Sequence, residues 1–237
     1  VDSGLLKNTL IVFPSDPGEM HGSHGLKGKG GFVYENYIHV PLYIVHPEYE
    51  GGRRISAVTS HLDLAPTFLD MTGLPDEEKE RLCEGLPGHS LMDLMDGSAS
   101  SVRDGALFCY ESLLMSAVQV DVALDGSMSY QIDLTNRGMV RGLITEDYKF
   151  VRYFAPLEFN TPQTLEELYA MNDVQLFDLR QDPEELNNLA ADPEANGELI
   201  LELNAQLNRL IEEEIGQDDG QEIAVILQTL QQSDLGA

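Results

Sequence analysis

The stretch Thr9 to Pro41, TLIVFPSDPGEMHGSHGLKGKGGFVYENYIHVP, constrains this chain most. An apolar run, Leu10 to Phe13, breaks at Pro14, and a second, Leu42 to Val45, follows Pro41. Both are too short for helices, and the first is predicted as a buried strand. Between them lie six glycines, Gly18 to Gly31, interleaved with Asp16, Glu19, His21, His24, Lys27 and Lys29. Two β-type runs around a Gly-rich polar loop are how an α/β enzyme builds a site at the end of its sheet.

Residue chemistry leaves two readings of that loop open. Asp16, beside Pro14, Pro17 and Gly18, is either a turn residue accepting local amide bonds or a metal ligand. Lys29 is a compact cation that neutralises an oxyanion, and His24 can protonate a leaving group. Together they suit hydrolysis of a charged ester; the alternative is a solvated Gly-Lys loop that binds nothing.

Further along, Ser60 and Asp63 form a capping-box pattern for a helix with Leu62, Pro66, Phe68 and Leu69 on its apolar side. Pro75 to Cys83 is predicted as a short exposed helix with acids in its first turn. Gly97 closes another, and Gly105 to Glu111 reads as a strand. Ser112 to Asn136 carries no clear pattern. Met139 to Phe154 reads as a hairpin around Glu146-Asp147, and Val174 to Leu179 as a strand. Asp182-Pro183 is predicted to start a helix. Asn196 to Ile215 is the longest helix, striped by Leu199, Leu203, Leu207, Leu210 and Ile211, and Ile223 to Leu230 is a final helical run. The expected fold class is α/β: residues 1–111 as part of the core, and residues 112–237 as a small α+β subdomain with antiparallel strands and terminal helices.

Composition limits the function classes. The chain has 237 residues with 41 acidic and 14 basic side chains, formally −27. Nucleic acid is an unsuitable partner for that charge, which brings no basic patch. No apolar run approaches the roughly 18 residues of a membrane span. The N-terminus VDSGLLKNT lacks a signal peptide's charged and apolar regions, and the sequence assigns no compartment. Cys83 and Cys109 form no metal spacing and are expected to be free core thiols.

The pattern S-D-x-G-E-M-x-G-x-H-G-L-x-G-K-G-x-x-x-Y-E followed by V-P-L-x-I closely resembles the sulfatase family of the alkaline phosphatase superfamily. HLDLAPTFLDMTGL, LPGHSL, RGLITEDYKFVRYF and LFDLRQDPEELNNLA resemble its downstream motifs in the same order. The resemblance implies the C-terminal half of an alkaline-phosphatase-like sandwich. It implies that Asp16 is a ligand of a divalent metal, most often Ca²⁺, and that Lys29 binds the sulfate oxygens of a sulfate ester. His24 matches a frequent family position, and Tyr34 and Glu35 match a structural pair.

The departures are specific. Pro17 stands where the family carries a second metal ligand, and His39 where Arg is usual. The family's nucleophile motif, C-x-P-x-R or S-x-P-x-R, is absent from these 237 residues. The chain is therefore expected to supply only the Asp/Lys side of a sulfuric ester hydrolase, with the N-terminal half outside it, and to be inactive alone. Tight Ca²⁺ binding by this chain alone is not expected, since Asp16 offers few of the roughly six to eight oxygens the ion takes. An inactive homologue with a binding or assembly role, and a phosphonate or phosphate monoester hydrolase, are the alternatives. An exposed apolar face, covered by self-association or by the missing half, is a further expectation.

Overall fold

The computed structural model describes residues 4–112, 117–123, 125–220, 223 and 225. The chain divides into two compact units, Val1–Ala106 and Leu107–Ala237. No helix among the described residues is long and apolar enough to cross a membrane.

In the first unit, β1 (Ile11–Phe13) pairs antiparallel with β2 (Tyr43–Val45), with Ile11 opposite Val45 and Phe13 opposite Tyr43. β1 is not the buried strand its composition predicts. Alternation turns Ile11, Phe13, Tyr43 and Val45 to the same face, and all four are exposed, Phe13 and Tyr43 at 62% and 66%. Apolar character marks these residues as strand formers; it does not supply a layer to cover them.

Helix α2 (Leu64–Asp70) follows a 3-10 turn at His61–Asp63, and Ser60 and Asp63 make the expected reciprocal cap. Its buried face shares Pro66 with the expected one and differs at Leu62 and Phe68. Leu62 and Phe68 are exposed, while Asp63, Pro66 and Thr67 are buried. A polar network decides this. Asp63 is fully buried and accepts from Ser60 N at 2.7 Å, His89 N at 2.8 Å, and the Nε and Nη2 of Arg103. Thr67 Oγ1 donates to Asp63 O and accepts from Leu91 N at 2.9 Å. Burying a carboxylate demands this many donors, so the side bearing Asp63 and Thr67 faces inward. The helices α3 (Asp76–Cys83) and α4 (Met92–Asp96) sit where the sequence predicts them, α3 with Asp76, Glu77 and Glu78 in its first turn and α4 ending on Gly97 with φ 85°.

The second unit is built on an antiparallel sheet in the order β3-β6-β7-β8 (Ala106–Tyr110, Met139–Ile144, Tyr148–Phe154, Asp173–Asp178). The β6–β7 hairpin is the predicted one, in the register Met139 opposite Phe154 and Leu143 opposite Phe150. Leu143, Phe150, Val174 and Leu176 meet Ile200, Leu203, Leu207, Leu210 and Ile211 of α6 (Pro193–Glu214) in one core. Arg141 and Arg152 face each other across β6 and β7 with both side chains buried. Two oxygens of Asp218, at 2.7 and 2.8 Å, and Glu111 neutralise Arg141. Asn204 and Asn208 accept from Arg152 at 3.0 and 2.8 Å.

Other expectations are corrected here. Asp182-Pro183 does not open a helix: the segment is a turn, and Glu185 adopts φ 55° while its carboxylate meets buried Lys149 at 2.6 Å. The cap signal that operates is Asp192-Pro193, three residues before the expected start; Asp192 Oδ1 accepts from Ala195 N at 3.1 Å. In the segment without clear pattern, β4 (Val118–Val122) pairs with β5 (Met128–Ile132) around Asp125-Gly126. Helix α5 (Leu165–Met171) carries a capping box from Thr164 and Glu167. Both cysteines are free, but Cys83 is half-buried and Cys109 exposed. The run Ile223 to Leu230 lies outside the described residues except Ile223 and Val225, both helical.

Candidate functional site

The loop between β1 and β2 is built by backbone hydrogen bonds, because its glycines offer few side chains to pack. Gly18 N donates to Tyr37 O at 2.8 Å, and a Cβ at Gly18 would stand 2.5 Å from Asn36 O, so only glycine fits this crossing. Met20 N reaches Gly28 O at 3.2 Å and Gly22 N reaches Leu26 O at 2.7 Å, closing a lobe over residues 20–28. Asn36 Nδ2 donates to Ser23 Oγ at 2.7 Å, tying the lobe to the short helix α1 (Glu35–Ile38). Met20, Val33 and Tyr37 are the buried anchors.

This frame brings Lys29 onto Asp16. Lys29 Nζ donates to Asp16 Oδ2 at 2.6 Å and to Pro17 O at 2.9 Å. Both side chains remain open to solvent, 51% for Lys29 and 78% for Asp16. The lysine's hydrogen bond, then its charge, hold the Asp16 carboxyl below the usual range. The hydrogen bond to Asp16 raises Lys29 against the opposing effect of burial.

His24 is held by a different contact. Its ring stacks on Tyr34 with centroids 3.8 Å apart and planes 12° from parallel, and its backbone sits at φ 51°, ψ 21°. A non-glycine residue in that region carries strain that the surrounding loop must hold. His39 Nδ1 hydrogen-bonds Glu35 Oε1 one turn earlier in α1. His21 approaches Glu19 at 3.8 Å.

Asp16 Oδ2 and Pro17 O converge on one point, which the Lys29 ammonium occupies. Carboxylate and carbonyl oxygens are the donors of a hard divalent cation, and an ammonium is a monovalent stand-in for one. The donor chemistry therefore fits such an ion in kind, and the number of donors does not complete a cage. Among the described residues, no group of three or more His, Cys, Asp or Glu could hold a metal. By residue type, Pro17 is only a lost ligand. Its carbonyl is a donor nonetheless, and nothing in a residue's type announces where its backbone oxygen will aim.

The sulfatase family model matches residues 1–74, the segment that holds the whole loop. Arylsulfatase K of Xenopus laevis is 29% identical over 89% of this chain and 33% of its own length. A solved sulfatase from a glycosaminoglycan-metabolism locus of Bacteroides thetaiotaomicron is 25% identical with TM-score 0.61, covering 89% of this chain and 38% of that one. The phosphonate monoester hydrolase of Agrobacterium radiobacter is 27% identical with TM-score 0.61, covering 90% of this chain and 36% of that one. Fold and motifs thus define a chain of the alkaline phosphatase superfamily. Within it, the chain is similar to the sulfatases, whose family model matches its first 74 residues and whose relatives align with most of its length. It spans about a third of the length of the curated relatives it matches.

Proposed function

We propose that this chain supplies the Asp16/Lys29 side of a sulfate ester hydrolase site. The observation that carries the reading is the Lys29 Nζ contact with Asp16 Oδ2 and Pro17 O on the loop. In this role Lys29 binds and orients the sulfate oxygens and offsets the negative charge that grows as the ester bond breaks. Asp16, with the Pro17 carbonyl, would hold one side of a divalent cation, Ca²⁺ by donor type, the other oxygens coming from outside this chain. When bound, that ion supplies Lewis-acid polarisation of the ester oxygens. His24, through its stack on Tyr34, keeps the lobe over residues 20–28 in shape and so positions Lys29.

The nucleophile motif lies outside these residues, so hydrolysis requires a polypeptide carrying C-x-P-x-R or S-x-P-x-R together with this chain. The phosphonate or phosphate monoester reading is favoured by the likeness to the Agrobacterium enzyme. An inactive, binding role is favoured by Pro17 in place of a side-chain ligand. The test is hydrolysis of an aryl sulfate and an aryl phosphonate monoester by the combined polypeptide, with and without Lys29→Ala. The expected result is higher kcat/KM for the sulfate and a fall of about a hundredfold or more in the variant. Unchanged kcat/KM in the variant would remove Lys29 from the site, and preference for the phosphonate would reassign the substrate.

A further inference from the structure

The surplus negative charge is not spread evenly along this chain. Residues 1–106 carry 16 acidic and 8 basic side chains, and residues 107–237 carry 25 and 6, so the second unit holds 19 of the 27 surplus charges. The fold sharpens that imbalance. Of the six cations in the second unit, Arg141, Lys149 and Arg152 are 1%, 0% and 1% exposed. Only Arg137, Arg180 and Arg209 reach its surface, and each already faces a carboxylate: Asp173 at 2.8 Å, Asp178 at 3.0 Å and Glu213 at 3.8 Å. Helix α6 concentrates the effect. Glu194, Glu198 and Glu202 are exposed at a spacing of four residues, where like charges on a helix repel. Glu212, Glu213 and Glu214 close the helix with no basic residue in its last turn, where the helix dipole is already negative. The buried side of the same helix, Ile200, Leu203, Leu207, Leu210 and Ile211, completes the core of the unit. The repulsion therefore acts on the element that closes that core.

We propose that the fold of the second unit is controlled by ionic strength: dissolved cations, in place of protein cations, offset its surface charge, and the unit loses stability as salt is withdrawn. The cause is the self-repulsion of a compact, strongly charged state. At about 0.01 M salt the screening length is roughly 30 Å, so the repulsion reaches across the unit. At about 1 M it is roughly 3 Å, and only adjacent carboxylates still interact. The screening is diffuse. Among the described residues no group of three or more His, Cys, Asp or Glu could hold a metal, so sodium and potassium act alike. The inference does not depend on the sulfate ester reading.

The test is urea unfolding of the ¹⁵N-labelled chain at about 0.01 M and about 1 M NaCl, read at the amides of Leu143, Leu176 and Leu207 in the second unit. Urea is uncharged and does not itself screen. The midpoint is expected to rise by about 1 M urea between the two salt concentrations, and by the same amount in KCl. Two charge-matched double variants test where the effect resides. Glu198→Lys with Glu212→Lys reverses two exposed acids on α6, and Glu48→Lys with Glu50→Lys reverses two exposed acids of the first unit. The α6 pair is expected to raise the midpoint at low salt and to remove about a third of the gain that salt brings. The first-unit pair is expected to leave both at their wild-type values. All four side chains are exposed, so neither variant disturbs a core. A midpoint that stays fixed from low to high salt overturns the proposal. Equal effects of the two double variants also overturn it, because the salt dependence would then follow net charge alone and not the charge carried by the second unit.

Discussion

Replacing Arg103 with Met should unfold the first unit more readily than any surface change in it. Asp63 is fully buried, and its two oxygens take donors from Ser60 N, His89 N and two nitrogens of Arg103, whose side chain is 3% exposed. Without the guanidinium, the carboxylate keeps two neutral N–H partners and no counter-charge. Breaking a buried pair from one side costs about 3–5 kcal/mol. For a unit of this size, each kcal/mol lowers Tm by about 4–8 °C, so a fall of at least about 12 °C is expected. Asp63→Leu combined with Arg103→Met removes both charges and should cost less than the sum of the single changes, the mark of direct coupling. Urea denaturation followed by far-UV CD and tyrosine fluorescence measures this, the chain having no tryptophan to interfere. A loss below about 1 kcal/mol for Arg103→Met, or strict additivity in the double variant, would refute the reasoning.

Three further outcomes follow from other parts of the structure. Gly18→Ala forces a Cβ to within 2.5 Å of Asn36 O, and the strain should cost about 1–3 kcal/mol and broaden the loop amides in ¹H–¹⁵N spectra. Leu207→Ala, at a fully buried position on α6, should cost about 2–5 kcal/mol in the second unit by urea denaturation. The third concerns pH. Asp16 is depressed, so its contact contributes above the ordinary carboxyl value of 3.8 and is lost as pH falls through the lower folded value. Lys29 is raised, so its side of the contact is fully present below 10.5 and is lost as pH rises through the higher folded value. Carbon-detected titration of Asp16 Cγ should give a midpoint below 3.8 in the wild type and near 3.8 in Lys29→Gln.

The strands were legible where apolar runs met turn residues, as at Leu10–Phe13 and Met139–Phe154, because alternation and punctuation are local. Their burial was not, since exposure depends on what covers a face and Phe13 and Tyr43 find no layer within their two-stranded sheet. Val118–Val122 carried a period of two ahead of Asp125-Gly126, a hairpin signal that the polar residues between obscured. Asp182-Pro183 and Asp192-Pro193 present the same capping chemistry, and tertiary pairing of Glu185 with Lys149 selects which one opens a helix. At the candidate site, Asp16 and Lys29 were singled out by motif, and their direct contact came from a lobe held by Gly18, Met20 and Gly22 backbone bonds, which sequence does not display.

The central claim is that Lys29 gives this acidic chain an anion site for a sulfate ester. The most direct measurement is titration of methyl sulfate into the ¹⁵N-labelled chain against sodium chloride at matched ionic strength. The account predicts saturable shifts at Gly28, Gly30 and Gly31 that exceed those with chloride and disappear in Lys29→Gln. Shifts no larger than those with chloride, or persisting unchanged in Lys29→Gln, would contradict it.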